Sequence, residues 1–123
     1  MFRSSQILSI MPRIIKALED YQALDSKKSE LVQIIVNAII LLMEQGELEQ
    51  AEKYISIAQS NLNNRNLGYE QIRLNFIKGC MLINNGEYLK GIEVAEKAIG
   101  AFQYLGWSNE VRIHQKHLDK LVR

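Results

Sequence analysis

The chain has 123 residues, 47% of them hydrophobic and 24% charged, with 15 Lys and Arg against 14 Asp and Glu for a net charge of +1. That composition excludes a disordered chain and suits one modest globular domain able to bury roughly 65% of its unfolded surface. The near-zero charge excludes the basic footprint of a DNA-binding domain, so no direct nucleic-acid contact is expected, and the lone Cys80 excludes an internal disulfide and suits a reducing, cytoplasmic setting.

In chain order, Met1-Phe2-Arg3 is not followed by the apolar stretch of a signal peptide, and residues 1 to 8 are expected to be loose, as termini usually are. A first helix is predicted from about Ile10 to Gln22, with Pro12 tolerated in its first turn and an apolar stripe of Ile10, Ile14, Ile15, Leu18 and Tyr21. Asp25 or Ser26 caps a second helix, about Lys27 to Gln45. Its apolar run from Ile34 to Met43, broken by Asn37, is half of the ~20 residues a membrane span needs, so no membrane is expected. A third helix covers about Glu47 to Asn63, and Asn63 to Gly68 form a turn by composition. A fourth runs from about Tyr69 to Asn84, ended by Asn85-Gly86, and a fifth from about Glu87 to Leu105, ended by Gly106. Ser108 caps a sixth, about Asn109 to Val122, and Trp107 is read as a packing lid between the last two helices. Strand-like alternation is missing from the sequence, so the fold class is all-α with about six helices.

The sequence repeats. Gly46-Glu47-Leu48 lies over Gly86-Glu87-Tyr88 at an offset of 40 residues, with Ala51 over Gly91 and Ala58 over Ala98. In each copy a long apolar stretch ends at a Gly-Glu turn and an amphipathic stretch follows. Gly46 and Gly86 supply the backbone freedom for a hairpin bend. Small residues at 51, 58, 91, 95 and 98 let the paired helices approach closely. This is a tetratricopeptide-like pattern, helical hairpins stacked into an α-α superhelix. It departs from the usual pattern in its longer period, in Ile35 and Asn75 where an aromatic is usual, and in Asn63 and Gln103 where a proline is usual. Gly79 keeps the small residue expected midway through the first helix of the second hairpin.

In such a stack the first helix of each hairpin lines a concave binding surface. Alignment to the repeat turns Gln33, Val36, Asn37, Ile40, Met43, Arg73, Phe76, Cys80 and Ile83 toward that groove, with Asn75 close by. Apolar with a few amides and one Arg, the stripe fits a short apolar peptide whose backbone is held by amides. The same stripe also reads as core, with Val36, Ile40 and Phe76 covered by a neighbouring helix. The first helix resembles the back helix of an earlier hairpin, and its uncovered stripe points to a second copy or a longer chain.

No catalytic constellation is present. His114 and His117 lack a further strong ligand and are read as a solvated helix face, not a metal site. Cys80 is read as a buried small hydrophobe. Phosphate loops and nucleophile elbows are missing, so neither an enzyme nor a cofactor is expected.

The stretches Asn37-Ala38-Ile39-Ile40-Leu41-Leu42 leading into Glu44 to Lys53, then Glu70 to Gly79, then Gly91 to Ile99 and Phe102 to Gly106, resemble the C-terminal region of Rgg/GadR/MutR-type transcriptional regulators over about Leu31 to Val122. The resemblance implies a cytoplasmic, dimeric Gram-positive regulator whose helical repeats receive short signalling peptides in quorum sensing. It implies an N-terminal helix-turn-helix domain, which these residues do not contain, so the chain is read as a fragment or a truncated relative. The expected division is residues 1–24 as the end of a preceding repeat and 25–123 as the regulatory domain. The competing reading is a stand-alone adaptor that binds a protein segment without a link to transcription.

Overall fold

The computed structural model describes residues 3–20, 25–62 and 68–122, with the side chains of 19, 20 and 25–28 left aside. Its helices are α1 (Ser4–Asp20), α2 (Asp25–Glu44), α3 (Leu48–Leu62), α4 (Gly68–Asn84), α5 (Tyr88–Tyr104) and α6 (Ser108–Leu121). No strand occurs among the described residues, and the all-α class stands. The expected turn at Asn63 to Leu67, the end of the first helix at Gln22, its stripe residue Tyr21 and the capping side chains of Asp25 and Ser26 lie outside the described residues.

Bounds of the last five helices differ from the sequence reading by no more than two residues, and the first helix is the exception. It begins at Ser4, so the expectation of a loose segment through residue 8 fails. The cause is a local cap. The carbonyl of Arg3 accepts from the backbone N–H of Gln6 and Ile7 at 3.0 and 3.1 Å. Gln6 Oε1 accepts the Arg3 N–H in return at 2.9 Å, one half of a capping box. Pro12 therefore stands in the helix interior, not the first turn, and offers no N–H to the carbonyl of Leu8. The buried stripe is Ile7, Met11 and Leu18, while Ile10 is exposed and Ile14 and Ile15 are half-buried.

Three turns share one construction among the described residues. Gly46, Gly86 and Gly106 have φ of 79°, 91° and 75°. At the first, Glu47 N–H reaches back to the Leu42 carbonyl at 2.9 Å and Gly46 N–H to that of Met43 at 3.1 Å, the paired bonds of a Schellman motif. Glu87 with Leu82 and Gly86 with Ile83 repeat it, as do Trp107 with Phe102 and Gly106 with Gln103. Each turn ends one helix and starts the next, which places Gly46 and Gly86 at the expected bends. The residue after the third glycine is apolar, and the Trp107 ring lies 5.9 Å from that of Phe102, the contact such a turn favours. Trp107, not Ser108, occupies the N-cap position of α6, and no side chain caps that end.

By internal contacts the chain divides into two units, Met1–Gln71 and Ile72–Arg123, with α4 crossing the boundary. In the first, α1 packs on α2 and α2 on α3. The core there is Ile7, Met11 and Leu18 with Val32, Ile35, Ile39, Leu42, Tyr54, Ala58 and Leu62. In the second, Leu74, Phe76, Ile77 and Cys80 of α4 share the core with Ala95, Ile99 and Phe102 of α5 and Leu118 of α6. There α4 and α5 touch backbone to backbone. A Cβ added to Gly79 would stand 2.6 Å from the Ala95 nitrogen, and one on Gly91 would stand 2.6 Å from the Gly79 carbonyl oxygen.

Candidate functional site

Within the first unit, α2 presents residues of the expected groove at several depths. Asn37 is exposed; Gln33, Ile40 and Met43 are half-buried; Val36 is buried. Ile34, one turn before Asn37 and Ala38, is 46% exposed.

Gln33 is also tied into a polar cluster that the sequence did not single out. Glu70, in the first turn of α4, is only 5% exposed. Its Oε1 accepts from Ser29 Oγ at 2.6 Å and from Gln33 Nε2 at 3.3 Å. A carboxylate at this depth needs such donors, and the amide end of α4 favours negative charge in its first turn. The sequence signal was the Ser29/Gln33 pair, one helical turn apart on a largely apolar helix.

Within the second unit, most of the remaining residues of the expected groove are buried. Phe76, Cys80 and Ile83 are buried, and Ile83 Cγ1 sits where a Cβ on Gly91 would be, at 2.6 Å. Arg73 and Asn75 are half-buried. Burial pushes the Cys80 thiol up to about 12, so its thiolate is not populated at neutral pH. The Lys78 ammonium is shifted downward by desolvation.

His114 overturns one expectation. It is 7% exposed and belongs to the core, not to a solvated face. Its ring lies 4.8 Å from Phe76 in an edge contact and 4.8 Å from Phe102, while His117 lies 5.6 Å from Phe76. Nδ1 donates to the Glu110 carbonyl at 2.7 Å. Burial lowers its pKa from 6.5 against the opposing pull of the Glu110 carbonyl and carboxylate, with Arg73 adding to the lowering. The signal was the α6 stripe Val111, His114, Leu118, Leu121, where His stands in an apolar series.

A depression of about 180 Å³ on the second unit is lined by Ile72, Asn75, Val94, Lys97, Ala98 and Ala101. Among the described residues no group of three His, Cys, Asp or Glu is gathered to hold a metal ion. Nor is any described helix long and apolar enough to cross a membrane.

Residues 1–116 match the family described as HTH-type transcriptional regulator Rgg, C-terminal domain. The chain belongs to the Rgg C-terminal domain family. The matched range takes in α1, which the sequence resemblance left out, and runs into α6. No curated protein and no solved structure matches the chain. Membership makes this Rgg-type chain a domain of a transcriptional regulator, and its buried His114 and Glu70 clusters are features of that regulator's helical core.

Proposed function

We propose that this Rgg-family chain is the ligand-sensing and dimerisation module of its regulator, taking a short apolar peptide on a tetratricopeptide-like surface. The observation that carries the reading is the accessible row on α2, where Gln33, Asn37, Ile40 and Met43 stay within reach of solvent beside an exposed Ile34. An apolar row punctuated by amides suits an extended apolar peptide, whose side chains need apolar contact and whose backbone needs hydrogen bonds. Val36 is buried beneath that row within the same unit; Arg73, Phe76, Cys80 and Ile83 belong to the second unit, where Arg73 is half-buried and the other three are buried. The repeat reading is supported by the turns at Gly46 and Gly86 and by the close approach at Gly79 and Gly91. Exposed Tyr104, Leu105 and Ile113 favour an interface with a second copy.

The test is fluorescence anisotropy with labelled Leu/Ile/Val-rich octapeptides against the full chain. Asn37→Ala and Ile40→Glu are expected to weaken binding by tenfold or more while thermal melting stays near that of the parent. Absence of saturable binding by every octapeptide, or equal binding by both variants, would reject the peptide assignment. Sedimentation at equilibrium tests the dimer separately.

A further inference from the structure

The depression on the second unit is lined by residues of α4 and α5. The helices are in backbone contact at Gly79, Gly91 and Ala95. Asn75 and Ile72, nearer the start of α4, line the depression together with Ala98 and Ala101, nearer the end of α5. Ala98 and Ala101 bring only methyl groups to it, and its volume is about 180 Å³. That is the scale of a small ligand of several non-hydrogen atoms. The floor is aliphatic, from Ile72, Val94, Ala98 and Ala101, and the two polar members are the Asn75 carboxamide and the Lys97 ammonium.

We propose that this depression binds a small branched aliphatic carboxylate, with the alkyl group on Val94, Ala98 and Ala101 and the carboxylate directed to Lys97 and Asn75. An apolar pocket with a few convergent polar groups fixes orientation through those groups, and here the only formal charge among its lining residues is positive. A carboxylate meets that charge; a neutral or cationic end does not. The same chemistry is carried by a free short-chain acid and by the C-terminal residue of a peptide ending in Leu, Ile or Val. The site stands independently of the α2 row: its loss leaves the peptide assignment above untouched, and the reverse holds.

The probes are 3-methylbutanoate and the peptide N-acetyl-Gly-Gly-Leu, titrated into the full chain while backbone amide shifts are followed by NMR. Saturable shifts are expected at Ile72, Asn75, Val94, Lys97, Ala98 and Ala101. The neutral 3-methylbutanamide is expected to bind at least fivefold more weakly than the acid, and Lys97→Gln to cost the acid a similar factor. Ala101→Leu fills the space and is expected to reduce binding at least tenfold; should it fail to fold, exposed Lys97→Gln carries the test alone. At least fivefold tighter binding of the peptide supports a chain terminus as ligand, and the reverse supports a free acid. No saturable shift with either probe, equal binding of acid and amide, or binding unchanged in a folded Ala101→Leu overturns the proposal.

Discussion

The imidazole of His114 meets the ring of Phe76 edge-on, with centroids 4.8 Å apart and planes at 85°. Around it, Phe102 closes a second side at 4.8 Å, and Glu110 and Arg73 are the charged groups that act on the ring. Burial disfavours the imidazolium, so the folded chain holds the neutral ring more readily than the unfolded chain does.

The sign of the pH dependence follows. Because the folded pKa lies below the ordinary 6.5, the unfolded chain binds the proton first as the solution is acidified. The contribution of neutral His114 is complete above pH 6.5 and is lost as pH falls through the depressed folded value. Thermal melts at stepped pH are expected to show stability declining below 6.5 in the parent, with a shallower decline in His114→Phe. Phe is larger than His, so the variant is expected to lose about 1–3 kcal/mol at neutral pH by overpacking, a cost that does not vary with pH. Identical pH profiles for the two proteins would remove His114 as the cause.

A second prediction sets two glycines against each other. Gly79→Ala drives a Cβ to 2.6 Å from the Ala95 nitrogen and 2.8 Å from the Gly91 carbonyl oxygen, both backbone atoms that a rotamer change cannot move. Forcing the helices apart is expected to cost about 1–3 kcal/mol. Gly100 lies within α5 with nothing within 4 Å of an added Cβ. There Gly100→Ala is expected to stabilise by about 0.5–1 kcal/mol, because alanine loses less backbone entropy in a helix. Urea unfolding followed by circular dichroism measures both. Shifts of the same sign would break the account of where α4 and α5 touch.

These glycines also show what the sequence reveals. A glycine after a long apolar stretch is legible as a helix end, because only glycine takes the positive φ of Gly46, Gly86 and Gly106 without strain. Gly79 and Gly91 are legible for the opposite reason, as small residues on facing helices. Pro12 misled the reading, since proline marks a first turn more often than an interior, while the Gln6 side chain that caps Arg3 carries no strong sequence signature.

The role of the apolar stripe is not legible in the sequence, for a physical reason. An apolar stripe on a helix reads the same whether it lines a groove or fills a core. Asn37 faces solvent, while Phe76 and Cys80 lie under their own unit's side chains. His114 was hidden differently, because α6 is polar in composition and its place in the apolar series shows only when Val111, Leu118 and Leu121 are read together.

A third prediction concerns Ser29 and Glu70. Ser29 Oγ donates to Glu70 Oε1 at 2.6 Å, and Gln33 Nε2 supports the same oxygen at 3.3 Å. Hydrogen bonds to a charged acceptor contribute about 1.5–3 kcal/mol, and stripping donors from a buried carboxylate costs more than deleting the whole group with its partners. Ser29→Ala alone leaves the carboxylate under-satisfied; Glu70→Ala alone removes the acceptor of the hydroxyl and leaves the amide with Ser29 Oγ, at 3.4 Å. A double-mutant cycle by urea unfolding is therefore expected to give a coupling of about 1–2 kcal/mol between the two positions. The coupling should persist at high salt, since the contact is shielded from solvent and its donors are neutral. Additive single-mutant effects within about 0.3 kcal/mol would mean that the short contact contributes no specific stability, and that Glu70 is held by the start of α4 rather than by α2.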